Sequence, residues 1–230
     1  MSEGRLAQAL AHYRALAPRY DHYTRRINAV RERAIASLRL KPGEVVVDAG
    51  CGTGWCLPFL ARAVGPAGTV IAFAPSPDML AIARERVPAG SCTLHLMQAP
   101  AEMARFPRVA DAILFSYTHD IIRSGAALDN LLRQARPGAR VAATSTKLYA
   151  PWLFPANWYL RASHRRYITN FEGFEAPWSL LAGYLDDFRV ETGPFTQHYV
   201  ATGTVRKIVP GTISLEIVPG TIFQEAKKTK

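Results

Sequence analysis

What this 230-residue chain lacks narrows the field before any motif is read. No apolar run approaches 18 residues, so nothing in the sequence is expected to span a membrane. The opening stretch MSEGRLAQAL has no apolar signal-peptide core, which makes a cytoplasmic location the expectation. Cysteines number only three, Cys51, Cys56 and Cys92, without the paired spacing of a metal site. Buried thiols are the plain reading, and no metal is expected. Acidic residues are also scarce, 18 against 28 Lys and Arg, for a net charge of +10. Residues 1–43 hold nine basic and three acidic residues, a net +6. Such a surface suits nucleic acid, an anionic membrane or an acidic substrate, or is simply a solvated helix face. An apolar fraction of 49% with 20% charge is that of a globular protein large enough for one sizeable core.

The most informative stretch is Val-Val-Val-Asp-Ala-Gly-Cys-Gly-Thr-Gly at 45–54. Three β-branched residues in a row predict a strand buried on both faces of a parallel sheet, ending at Asp48. The glycines at 50, 52 and 54 predict a tight turn that lets backbone approach a ligand. The spacing is G-x-G-x-G. A dinucleotide fingerprint needs a further glycine where Trp55 stands, and a phosphate-binding loop needs a terminal Gly-Lys-Ser/Thr that is missing.

Strand, acidic residue and G-x-G-x-G together resemble motif I of the class I S-adenosylmethionine-dependent methyltransferases. The resemblance extends over roughly residues 13–205. It implies an α/β, Rossmann-like fold: seven mostly parallel strands, helices on both faces, the last strand antiparallel. It also implies S-adenosylmethionine as cofactor, with Asp48, Ala49, Gly50, Cys51 and Gly52 lining its site. The phrase Tyr13-Arg-Ala-Leu-Ala-Pro-Arg-Tyr20-Asp21 resembles the lid before motif I in quinone-biosynthesis and phospholipid N-methyltransferases. There a tyrosine covers the cofactor, which nominates Tyr13 and Tyr20; the bland alternative is core packing. A helix from about Asp21 to Leu40 follows, with Tyr23, Ile27, Val30, Ala34 and Leu38 as its apolar stripe.

A helix over 55–64 is expected to aim its free N–H groups at the glycine turn, where a methionine carboxylate would be held. The second strand, 69–73, should end in an acid that binds the ribose hydroxyls. This chain has Ala74, then Pro75, Ser76 and, in the next helix, Asp78 and Met79. Losing one carboxylate-to-hydroxyl bond, about 1.5–3 kcal/mol, weakens binding by roughly one to two decades. After the third strand, 93–97, the acid expected at the adenine is Pro100, with Ala101 and Glu102 beside it.

Strand four, 111–115, leads into Ser116-Tyr-Thr-His-Asp120 at the carboxyl end of the sheet, where open α/β sheets bind their substrates. His119 is the candidate base, oriented by Asp120 or Tyr117, and Ser116 the candidate cofactor contact. The alternative is that His119 caps or packs. Helix 126–136, a Pro137-Gly138 turn and strand 139–145 follow. The stretch 148–178 is read as a substrate cap. Trp152 and Trp158, with Phe154 and Tyr159, would wall an apolar acceptor, and His164 and Arg165 would meet an anionic group. Strands at 188–191 and 198–205 make the last antiparallel pair. The domain is thus read as 1–205, with 1–40 as a helical lid. A tail at 206–230 carries Ile-Val-Pro-Gly-Thr-Ile twice, read as a small ribbon of the two copies, a pairing edge for a second subunit in a homodimer, or a local duplication without function.

The expected function is methyl transfer to an N or O atom of a small molecule. The alternatives are a phospholipid amine at the membrane surface, or a non-catalytic binding protein on this scaffold, which the two absent acids motivate. Nucleic acid is disfavoured, since the Asn/Asp-Pro-Pro-Tyr/Phe motif after strand four is missing. An oxidoreductase is disfavoured by Trp55 and Ala74.

Overall fold

A computed structural model describes residues 25–164, 171, 173–193 and 195–207. Tyr13, Tyr20, Arg165 and the duplicated tail lie outside the described residues. Among the described residues no helix is long and apolar enough to cross a membrane.

Seven strands run β1 (Val45–Ala49), β2 (Thr69–Ala74), β3 (Thr93–Gln98), β4 (Ala110–Ser116), β5 (Ala135–Thr146), β6 (Leu185–Glu191) and β7 (His198–Val205). Their order in the sheet is β3-β2-β1-β4-β5-β7-β6. Strands β1 to β5 pair in parallel, and β7 is antiparallel to both its neighbours. The helices are α1 (Asn28–Ser37), α2 (Leu57–Val64), α3 (Pro77–Arg84), α4 (His119–Ile122), α5 (Gly125–Leu132), α6 (Phe154–His164) and α7 (Ser179–Ala182).

Every residue of β1 is buried, as a strand covered on both faces requires. Side chains alternate along a strand, so the sheet's apolar residues sort by parity into two cores. Val45, Val47, Ala49, Ile71, Phe73, Ile113 and Phe115 face α5 and Leu181 of α7. Val46, Val70, Ala72, Ala112 and Leu114 face α1, α2 and α3 through Ala34, Leu57, Leu60 and Ala83. The same parity turns Asp48 toward α1 and α2. Burying each large aliphatic side chain contributes about 1.5–3 kcal/mol, which leaves β1 little freedom to slip.

The amino ends of three strands are tied by charge. Asp111 accepts from the Val45 amide (2.7 Å) and pairs with Arg136 (3.1 Å), while Arg140 pairs with Glu44. One local expectation is corrected here. Pro137-Gly138 is no turn before the fifth strand but lies inside β5, as an exposed bulge. Pairing with β4 passes from Ala110–Ala135 directly to Ala112–Arg140, and Gly138 adopts φ +78°. The preceding helix accordingly stops at Leu132 rather than 136.

The sheet reverses its order between β1 and β4, and their carboxyl ends open the crevice where such folds bind ligands. The turn after β1 enters that crevice, pinned by the Cys51 amide donating to the Phe73 carbonyl (3.0 Å). At Gly54, φ is +77°, and an added Cβ would stand 2.8 Å from the Ala83 Cβ and 2.9 Å from its Cα. At Gly52, with φ +54°, it would meet only the Met79 sulfur, at 3.8 Å. Gly54→Ala should therefore cost about 2–4 kcal/mol, combining left-handed strain and overpacking, and Gly52→Ala only about 1 kcal/mol. Urea midpoints of the two variants test this; equal losses would overturn it.

Candidate active site

Asp48 is the centre of the site. Its carboxylate is 1% exposed, and neither oxygen has a hydrogen-bond partner among the described residues. Burial pushes its pKa up to about 7, and the guanidinium of Arg31 pulls the other way without cancelling the effect. Arg31, on α1, is itself 5% exposed. Its guanidinium carbon lies 5.3 Å from the centre of the Trp55 ring and 5.4 Å from that of Tyr117. A cation held between two aromatic faces keeps its charge at modest desolvation cost. The thiols of Cys51 and Cys56 stand close enough to Asp48 for its charge, with burial, to push both thiol pKa values up. They are inert thiols in this setting. The Cys56 thiol faces the buried Ser116 hydroxyl at the end of β4.

The glycine turn divides its labour. An added Cβ at Gly50 would meet the Thr118 methyl at 2.6 Å and the Ile121 Cδ1 at 3.0 Å, so Gly50 serves contact with the β4–α4 segment. Gly54 serves contact with α3. Gly52 is the least crowded of the three, since a Cβ there would touch only the Met79 sulfur, at 3.8 Å. Ala49 is buried at the strand end.

At the end of β2, Ala74 is buried and its carbonyl accepts from the Ala99 amide (3.2 Å). Pro75 follows, and Ser76 caps α3, its hydroxyl accepting from the Met79 amide (3.4 Å). Asp78 sits in the first turn of α3. Beyond β3, the Pro100 carbonyl accepts from the amides of Met103 and Ala104, and Ala101 is buried. Glu102 is exposed and accepts from the Ser124 hydroxyl (3.2 Å), ahead of α5. The β2 and β3 ends therefore present backbone and small side chains rather than acids.

Across the crevice, Tyr117 follows β4 in the left-handed region (φ +59°), a strained state costing about 1–3 kcal/mol. Its amide donates to the Thr144 carbonyl (2.8 Å), and its hydroxyl lies 3.0 Å from Nδ1 of His198. His198 opens β7, opposite Thr146 of β5. Beside it, burial depresses the pKa of Lys147 and raises that of Tyr199. His119 begins α4. Its ring packs on Phe174 (5.7 Å between centres), with Nε2 3.2 Å from Asp120. Burial lowers its pKa against the pull of Asp120.

Trp152 and Trp158 face outward, 61% and 74% exposed, and His164 ends α6. A groove of about 710 Å³ runs along edge strand β3, lined by Leu94, Met97 and Arg105 among others, and touches neither Asp48 nor Tyr117. Two residues escaped the sequence reading. Arg31 had a visible signal: it occupies a stripe position, four after Ile27 and three before Ala34, where an apolar residue was due. His198 had none, because β7 meets β4's end only through β5. Among the described residues no cluster of His, Cys, Asp or Glu is fit to hold a metal.

Residues 46–138, about two-fifths of the chain, match the family described as "Methyltransferase domain", and the seven-stranded sheet has the arrangement expected of the class I S-adenosylmethionine-dependent methyltransferase fold. Among curated proteins, the chain is 28% identical over 136 residues to the ubiquinone/menaquinone biosynthesis C-methyltransferase UbiE of Geobacter sulfurreducens, covering 54% of this chain and 52% of that one. It is 29% identical over 117 residues to an arsenite methyltransferase of Halobacterium salinarum, 49% of this chain and 30% of the other. The chain thus aligns with about half the length of the first and less of the second. Among solved structures, the N-methyltransferase NodS of Bradyrhizobium japonicum in complex with S-adenosylhomocysteine is similar in fold. Its TM-score is 0.59 at 14% identity, covering 87% of this chain and 98% of that one. The DhpI–SAH complex has TM-score 0.59 at 17% identity, with 90% and 100% covered.

The folded state favours the neutral Asp48 acid, whose ordinary pKa is 3.8. The stability this contributes is full below that value and falls as pH rises toward about 7, by about 1.4 kcal/mol per pH unit. Asp48→Asn should flatten that slope and raise the melting temperature of the ligand-free protein near neutral pH. A melting series across this range in which wild type and variant run parallel would refute the assignment.

Proposed function

We propose that the protein transfers a methyl group from S-adenosylmethionine to a nitrogen or oxygen atom of a small, largely apolar acceptor that gives up a proton. The observation that carries this reading is the orphaned, buried Asp48 carboxylate beside Arg31, at the least crowded glycine of the turn. The pair is complementary to an amino acid: a carboxylate for its ammonium group, a guanidinium for its carboxylate. The Trp55 and Tyr117 rings add surfaces that favour cations. The residues present fit the methionine half of the cofactor well. They fit the adenosine half through backbone and shape alone, with Ala74, Ser76, Met79, Pro100 and Ala101 in place of acids. The grip on the cofactor is therefore asymmetric.

When bound, the cofactor supplies a methyl group on a sulfonium, ready for in-line displacement. What remains for the chain is positioning and one proton. Tyr117 is placed for this, its hydroxyl held by His198 at the end of β4. We assign the pair to accept the acceptor's proton, on Tyr117 Oη as His198 Nδ1 takes the tyrosine's own. His119, packed under Phe174 and paired with Asp120, is less well placed. The two curated relatives are named for carbon and arsenite methylation, which keeps a ring-carbon acceptor in view; its deprotonation would use the same pair. The non-catalytic reading is favoured by the missing carboxylates at Ala74 and Pro100, and it predicts no cofactor affinity.

Calorimetric titration separates these readings. S-adenosylmethionine and S-adenosylhomocysteine should bind at micromolar levels, while adenosine alone binds at least about a hundredfold more weakly. Because ligand ammonium requires the ionised Asp48, affinity should fall about tenfold per pH unit below about 7, with proton release on binding. Arg31→Met should erase the preference over adenosine. Absence of adenosyl-ligand binding would leave the repurposed-scaffold reading.

With an acceptor found by screening, Tyr117→Phe and His198→Asn should each lower kcat by about a hundredfold, with cofactor affinity kept within twofold. A normal rate in both would remove the pair from the chemistry.

A further inference from the structure

A helix on a water-soluble surface ordinarily turns its apolar side inward and its polar side out. Helix α6 instead leaves large aromatic side chains on its outer side. Inward, it is held by buried Leu160 and by Asn157, whose side-chain amide accepts from the Tyr149 amide (2.8 Å) and donates to the Tyr149 carbonyl (3.1 Å). Outward, from residue 151 to 162, the only charged exposed side chain is Arg161. Trp152, Phe154, Trp158 and Tyr159 are 61%, 73%, 74% and 71% exposed. Phe195, from the β6–β7 loop, is 69% exposed and packs edge-on against Trp152 at 5.3 Å, so the patch spans two elements. These five account for all but two of the exposed large hydrophobic side chains among the described residues, the others being Met103 and Val109. With rings of roughly 150–250 Å² each, the exposed patch is on the order of 500–900 Å². That exceeds the few hundred Å² usual on a monomer.

We infer that this aromatic face docks on the headgroup region of an anionic lipid bilayer. Three observations choose this occupant. The exposed residues are mainly Trp, Tyr and Phe rather than branched aliphatics, and amphipathic rings are what the membrane–water interface favours. Eleven residues make a helix of roughly 16 Å, too short to span a bilayer and suited to lying in its surface plane. The chain carries +10, so an anionic surface attracts it, with Arg161 at the patch margin beside Glu175 (4.0 Å). Since α6 follows the carboxyl end of β5, docking would present the crevice to an acceptor dissolved in the membrane; that consequence alone rests on the proposed function.

The test uses the full chain and no turnover. In flotation assays it should bind vesicles of phosphatidylcholine mixed with phosphatidylglycerol, with a blue shift of tryptophan emission and quenching by brominated lipid. Pure phosphatidylcholine should bind it at least about tenfold more weakly. The Phe154→Ser, Tyr159→Ser double variant and Phe195→Ser alone should each lose at least about tenfold in partitioning, with an unchanged melting temperature as the check on folding. Vesicle binding that is absent overturns the proposal. So does binding that salt abolishes equally in wild type and variants, with no emission shift. Burial of the patch by a second copy, or by the chain's own terminal segments, would appear as no vesicle binding and overturn it as well. Cofactor calorimetry reports on the proposed function separately, so either inference can fail alone.

Discussion

Everything in the site depends on one carboxylate buried where water cannot reach it. The two-residue period of β1 sends Val45, Val47 and Ala49 into one core and Val46 and Asp48 toward the other. Asp48 arrives there in register between Ala72 and Leu114, both apolar and fully buried. A charge in such a place is costly unless a partner is supplied, and the protein supplies Arg31 only from the side. The result is a carboxyl that titrates near neutrality and an unfilled demand for a cation. Slipping β1 by one residue would turn Asp48 into the other core, so the strand's hydrophobic fit and the site's electrostatics are one constraint.

The surrounding crevice is uneven in its chemistry. The ends of β2 and β3 carry Ala74 and Pro100 rather than acids, and Glu102 is committed to Ser124 ahead of α5. Charge and aromatic faces converge instead at the end of β1, around Asp48 and Arg31. Opposite them, the strained backbone of Tyr117 is held in place by Thr144 and His198, from two different strands. Strain of that kind persists only where the surroundings over-determine it, as they do at the end of β4.

Much of this was legible in the linear chain, for local reasons. Three β-branched residues before an acid and a glycine turn announce a buried parallel strand, and the strand ends at Ala74, Gln98 and Ser116 lie at or within a residue of where composition puts them. The bulge at Pro137-Gly138 was misjudged because a Pro-Gly pair makes a turn or an in-strand bulge by the same backbone preferences. Partner strands decide between them. Which glycine of the turn is least crowded was equally hidden. Gly50, Gly52 and Gly54 look alike in the sequence, and only the approach of Thr118 and Ala83 separates them.

By itself, then, the sequence determined the sheet and the position of Asp48, since both follow from short-range periodicity and one motif. Tertiary structure alone decided that Arg31 would share the buried space of Asp48, and that His198 would reach Tyr117 from a strand 81 residues on. It also decided that the aromatics of α6 would face outward. The reason is the same in each case. Burial, charge pairing and exposure are properties of what packs against a residue, and the packing partners lie far away along the chain.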